Sequence, residues 1–310
     1  MEFLLECVDA ARREELAGRL RAAGAAFHDE QSATRPNLGV EARRLLDLDG
    51  IPRIVLGWMI EEDDPGTNTA LYHHQRTPTG IRADIRRGLP FRPGRAPDAV
   101  VPFQTGRHIR GSLGAGTPIA EYRSFRPEQA VLDFSESPDR RGLVEALRLN
   151  GAARMLGSCR AVADAVGRED WELIAEADRD LPLPGYARWA LCAHPICPAV
   201  LRAQLGGHEP RFLKRLRRYG IYRDPSELVQ AGATAGAALQ MLNAGRHVFP
   251  SRLGPSRELV GQLVDEWLGA GAESWAVLAQ LLPTFAGTLA ELIVTSGAIA
   301  GGGAIAGGGA

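Results

Sequence analysis

From residue 140 to residue 297 the apolar positions recur at a helical period, and this run constrains the fold more than any other feature of the chain. It predicts helices over roughly 141–149, 152–166, 168–179, 184–193, 198–206, 209–219, 225–242, 255–269, 272–282 and 284–296. Start signals punctuate the pattern. Asp224-Pro225-Ser226-Glu227 sets an aspartate at a cap position, proline at the first helical position and glutamate in the first turn, and Gly254-Pro255-Ser256-Arg257-Glu258 is similar. Short helices on short loops pack as antiparallel neighbours, which predicts a bundle or a short solenoid.

The first 135 residues read differently. Residues 2–9 predict a strand, 10–23 a short helix with Leu16 and Leu20 on one face, and 31–43 a loop. Residues 45–48 and 54–60 predict two more strands, the second on its β-branched content, and the acidic run 61–66 a turn. Residues 117–125 and 129–134 are further strand candidates, and the polar break at 135–139 sets a domain boundary. The expected organisation is an α+β N-terminal domain over 1–137 and an all-α bundle or solenoid over 138–297, mostly helical overall. A tail over 298–310 follows. Its tandem Ala-Ile-Ala-Gly-Gly-Gly repeat predicts a flexible end, because glycine triplets cost a helix too much backbone entropy. The alternative is a docking peptide that offers Ile299 and Ile305 to a partner.

Composition narrows the function classes. With 310 residues, 45% hydrophobic and 24% charged, the chain has enough apolar content for sizeable cores, and its length suggests two domains. A formal net charge of −1 steers it neither to nucleic acid nor to an anionic membrane. Lys214 is the one lysine among 36 basic residues, a bias that reports the codon supply of a GC-rich, bacterial genome. Four cysteines (Cys7, Cys159, Cys192, Cys197) do not make a disulfide scaffold. The opening Met1-Glu2-Phe3-Leu4-Leu5-Glu6 has no basic leader region, and the apolar stretch within 275–300 is broken by Pro283 and Glu291. A reduced cytoplasmic protein without a membrane span is expected.

One segment carries titratable residues at expected strand ends. Ala70-Leu71-Tyr72-His73-His74-Gln75-Arg76-Thr77 leads into an amphipathic piece closed by Gly88-Leu89, and Ala120-Glu121-Tyr122-Arg123-Ser124-Phe125 follows. These residues resemble the first and last motifs of the ADP-ribosyltransferase superfamily. The resemblance implies NAD as substrate, with Glu121 as the catalytic carboxylate beside His73 or His74, and Tyr72, Thr77 and Tyr122 at the cofactor. The chemistry is coherent, since a carboxylate stabilises the positive charge that builds on the ribose as the nicotinamide bond breaks. A second segment, 190–202, is similar to one unit of leucine-rich-variant or HEAT-like helical repeats, a resemblance that implies helical packing and no specific activity.

Two further constellations stand out. Cys192-x-His194-x-x-Cys197 invites a metal reading, but zinc wants four ligands and Cys7 and Cys159 lie far off in sequence, so a buried turn is the expected state and no metal is assigned. Arg211, Lys214, Arg215, Arg217 and Arg218 make a basic helix face over apolar Phe212, Leu213, Leu216 and Tyr219. The leading expectation is therefore a non-enzymatic interaction or regulatory protein that needs no cofactor and uses these five cations against another protein. Nucleic acid is the less favoured ligand. The alternatives are the NAD-consuming transferase and self-assembly into a homo-oligomer through the apolar C-terminal set around Trp267, Trp275 and Leu289.

Overall fold

The structure is a computed structural model and describes residues 1–8, 10–22, 37–92, 141–207, 209–231, 233–269 and 271–306. Every regular element among them is helical, and no strand or sheet occurs among the described residues. The α+β N-terminal domain expected over 1–137 is therefore corrected. Residues 2–9 open with helix α1 (Glu2–Glu6). Residues 45 and 46 end α3 (Leu38–Leu46), which follows α2 (Ala10–Ala22) and is capped by Asp47, and residues 54–60 lie within α4 (Arg53–Glu62). The strand candidates 117–125 and 129–134 lie outside the described residues.

The reason is clearest in α4. All seven residues from Ile54 to Ile60 are buried. A helix covered on every side shows no 3.6-residue stripe, so its sequence matches that of a buried strand. Gly57 sits in the middle because the Pro195 carbonyl approaches it so closely that a Cβ would collide with the oxygen. The acidic run after α4 is more than a turn. Asp63, at a left-handed φ of 53°, is buried and accepts hydrogen bonds from Asn68 Nδ2, Phe91 N and Arg92 N at 2.9, 2.9 and 3.1 Å. Asp64 caps α5 (Pro65–His73) by accepting from Thr67 N at 2.9 Å, with Pro65 at the first helical position.

By contacts the chain separates into two units, one of residues 1–52 with 220–310 and one of residues 53–219. This pairs the two ends of the chain, where the sequence reading divided it sequentially. The boundary expected near residue 137 falls outside the described residues.

The second unit contains α4 to α6 (α6, Thr79–Arg87), then α7 (Arg141–Ala152), α8 (Leu156–Asp164), α9 (Asp170–Asp180), α10 (Gly185–Cys192), α11 (Ala199–Arg202) and α12 (Pro210–Arg218). Gly88 ends α6 in the left-handed conformation, φ 69°, and its N–H donates to Ile85 O. Helices α7, α8 and α10 pack on one another, and Leu143, Leu147, Cys159, Ala187 and Leu191 fill the space between them. Asp178 fastens this packing from α9. It accepts from Leu183 N at 2.8 Å, from the Arg188 guanidinium at 3.1 Å and from Gln204 Nε2 at 3.1 Å.

The first unit adds α13 (Ser226–Gln230), α14 (Ala235–Val248), α15 (Gly254–Leu263), α16 (Ala272–Leu281) and α17 (Leu289–Ala306) to α1–α3. Helix α14 packs against α1, α3 and α17, and α16 against α17. Trp275, Leu278, Leu289, Leu292 and Ile293 are buried there, so most of the apolar C-terminal set closes a core, while Trp267 remains partly exposed. Two expectations change. The predicted helix 225–242 is two helices, since Thr234 restarts the chain by accepting from Ala237 N. The Gly/Ala-rich end, expected to be flexible from residue 298, is helical to Ala306. No helix among the described residues is long and apolar enough to cross a membrane.

Candidate binding surface

Helix α12 begins with Pro210 at its first position after Glu209. Leu216 is buried, Phe212 and Leu213 are half-buried, and Arg211, Lys214, Arg215, Arg217 and Arg218 are exposed. The i, i+3 and i+4 spacing of Phe212, Leu213 and Leu216 turns them to the protein and leaves the cations outward. The structure thus brings all five basic residues named from sequence onto one exposed helix.

Under this helix lies an aromatic group that no single sequence segment contains. Trp189 of α10, only 2% exposed, meets the Phe212 ring edge-on at 5.1 Å and the Tyr219 ring edge-on at 5.2 Å. The Arg215 guanidinium covers the Trp189 ring at 4.3 Å, and the Arg160 guanidinium of α8 lies over the Tyr219 ring at 4.9 Å. Tyr219 reaches solvent, 43% exposed. Contact with Arg160 foremost, and then with Arg215, holds the Tyr219 phenol below its ordinary pKa.

The electrostatics are unbalanced here. Asp164 on α8 is held by an ion pair with Arg53, and Arg160 and Arg82 add their charge to it. Burial nonetheless raises the Asp164 pKa, the arginines working against that rise. Arg160 Nη2 is buried without a hydrogen-bond acceptor. Among the described residues no carboxylate pairs with Arg211, Lys214, Arg215 or Arg218. The first unit offers the contrast. Its surface depression includes Glu2, Glu41, Arg44, Asn243 and Arg246 in its lining, but Arg44 pairs with Glu41 at 2.7 Å and Arg246 with Glu2 and Glu6 at 2.8 Å each.

The chain matches no protein-family model, no curated protein and no solved structure.

The residues assigned by the transferase resemblance sit at the turn between α5 and α6. Tyr72 is half-buried with its ring edge-on to His73 at 5.1 Å, His73 is exposed, His74 is half-buried and Thr77 is buried. Arg82 Nη2 closes the turn by donating to His74 O and Gln75 O, each at 2.9 Å. These side chains therefore close a helix rather than a strand. Glu121 and Tyr122 lie outside the described residues.

The Cys192–Cys197 turn is a packed interior. Cys192 Sγ and Cys197 Sγ point at the carbonyls of Arg202 and Pro198, 3.7 and 3.8 Å away. Burial pushes both thiols up, Cys197 to about 12. His194 is fully buried against the Trp171 ring, 5.2 Å away, with neither ring nitrogen hydrogen-bonded. Burial holds it well below its ordinary pKa, helped by Arg53 and Arg202. Among the described residues no group of three or more His, Cys, Asp or Glu side chains is placed to hold a metal ion.

Sequence reasoning found the basic row and missed Arg160 and Trp189. Both are remote from α12 in the chain, on two other helices, and nothing local marks either as part of a surface.

Proposed function

We propose that this chain is a non-enzymatic interaction protein that docks an acidic segment of another protein on helix α12. The observation that carries this reading is the row Arg211, Lys214, Arg215 and Arg218, exposed and without carboxylate partners among the described residues. A solvated structural helix gains from i, i+4 pairs of opposite charge, and α12 carries only positive charge from Arg211 to Arg218. Trp189, Phe212 and Leu216 beneath it fix the backbone, so docking orders side chains rather than a loop. Nucleic acid is the weaker candidate, because Tyr219 is the one member of the Trp189, Phe212, Tyr219 trio with an exposed ring and stacking platforms engage successive bases.

The test is fluorescence anisotropy of a labelled glutamate-rich peptide, with a single-stranded oligonucleotide in parallel, at low and moderate salt. Peptide binding that weakens about tenfold or more in Arg215→Glu/Arg218→Glu, and falls with salt, supports the reading. Unchanged binding in that variant contradicts it, and preference for the oligonucleotide moves the surface to nucleic acid.

A further inference from the structure

Arg160 and Arg215 cover two neighbouring rings of one aromatic group. One guanidinium lies over the Tyr219 ring from α8, and the other lies over the neighbouring Trp189 ring from α12. Arg160 foremost, and Arg215 after it, hold the Tyr219 phenol below its ordinary pKa. The carboxylate nearest Arg160 in the chain, Asp164, is already engaged by Arg53, and Arg160 Nη2 keeps a buried donor without an acceptor. Arg215 has no carboxylate partner among the described residues.

We propose that Arg160, Arg215 and the Tyr219 hydroxyl form a subsite for a phosphate monoester, carried on a phosphorylated side chain within the acidic segment that α12 docks. This rests on the reading of α12 as the docking helix. Charge matching argues for phosphate over carboxylate. Two guanidiniums, with the nearby Asp164 already held by Arg53, match the charge of a phosphorylated side chain, which is about −1.5 to −2 at neutral pH, better than the single charge of Glu or Asp. Donor count argues the same way. Two guanidiniums and one hydroxyl offer three donor groups for the three terminal oxygens of a phosphate, whereas a carboxylate offers two oxygens in one plane. The flanking Arg211, Lys214 and Arg218 then receive the acidic residues on either side of the phosphate.

The experiment compares two versions of one acidic peptide, with phosphoserine or glutamate at its centre, by anisotropy against the full chain at pH 7.5. Free O-phosphoserine is titrated as competitor. The expected result is about tenfold or more preference for the phosphopeptide, a preference that shrinks at pH 5 as the phosphate takes up its second proton. Arg160→Gln is expected to remove most of that preference while leaving the glutamate peptide bound, and Arg215→Gln, which also belongs to the docking row, is expected to weaken both peptides but the phosphopeptide by the larger factor. The Arg215 variant keeps the test decisive if the half-buried Arg160 position does not tolerate change. Equal affinity for the two peptides overturns the subsite and leaves the acidic-docking reading standing. A preference indifferent to both variants overturns the assignment of these residues. Free O-phosphoserine binding as tightly as the phosphopeptide overturns the partner side chain as the source. Absence of binding to either peptide by the wild-type chain overturns the docking reading as well.

Discussion

Arg215 holds its guanidinium 4.3 Å from the centre of the Trp189 ring and so joins an exposed helix face to a buried indole. The same side chain serves packing and charge. Replacing it with alanine is expected to cost about 0.5–1 kcal/mol of stability from the lost cation–π contact, and to weaken an acidic ligand more than an equally exposed arginine elsewhere does. Urea denaturation read from tryptophan fluorescence, beside the anisotropy titration, checks both parts. A variant that loses stability alone would make Arg215 a structural cover.

His194 gives the second unit an acid sensitivity. Its ring is buried and neutral, with a pKa below the ordinary value, while the unfolded chain protonates near pH 6.5. Below that pH the unfolded state binds the extra proton, so the stability contribution is whole above about pH 6.5 and is lost as pH falls toward the folded value. Between pH 6.5 and 5.5 the wild type should lose about 1 kcal/mol more than His194→Leu, which has no proton to take up. Parallel slopes for the two proteins would remove His194 from the account. Because neither ring nitrogen is hydrogen-bonded, the leucine variant should also be nearly neutral in stability at pH 8.

Asp84 has the opposite sign. Burial raises its pKa to about 6, against a backbone hydrogen bond from Arg168 at 2.6 Å and the charge of Arg87. Its folded pKa exceeds the unfolded value of about 3.9, so the native state gains as pH falls through 6 and the gain is complete below 4. The stability difference between wild type and Asp84→Asn should therefore shift by about 2 kcal/mol in favour of the wild type from pH 8 to pH 4. A pH-independent difference would show that Asp84 is ionised throughout.

Two helical glycines separate close packing from mere tolerance. A Cβ at Gly57 runs into the Pro195 carbonyl, whereas one at Gly157 in α8 meets nothing within 4 Å. Gly57→Ala should destabilise by about 1–3 kcal/mol, and Gly157→Ala should stabilise by up to about 1 kcal/mol through helix propensity. Thermal melts of the two variants side by side check the approach of α4 to the turn at Pro195.

Much of the helical order was readable because it is amphipathic or capped. Leu16 on one face, Gly88 after Arg86-Arg87, and Pro210 before the basic row each leave a local signature. The error at 54–60 has a physical source, since burial on every side erases the period that separates helix from strand. The new helix start at Ala235 was missed because apolar residues run on both sides of it, and only the Thr234 cap marks it. Of the candidate surface, the charges were legible in α12 itself. Arg160 and Trp189 were not, because their place beside Tyr219 follows from packing between helices far apart in the chain.

The central claim is that α12, and not net charge, binds an acidic segment. The most direct measurement is peptide anisotropy on Arg211→Glu/Lys214→Glu/Arg218→Glu beside a control, Arg43→Glu/Arg154→Glu/Arg179→Glu, which changes three exposed cations elsewhere by the same total charge. The account predicts that the α12 variant loses at least tenfold in affinity while the control stays within about twofold of wild type at moderate salt. Equal losses in the two variants, or binding retained in the first, would contradict it.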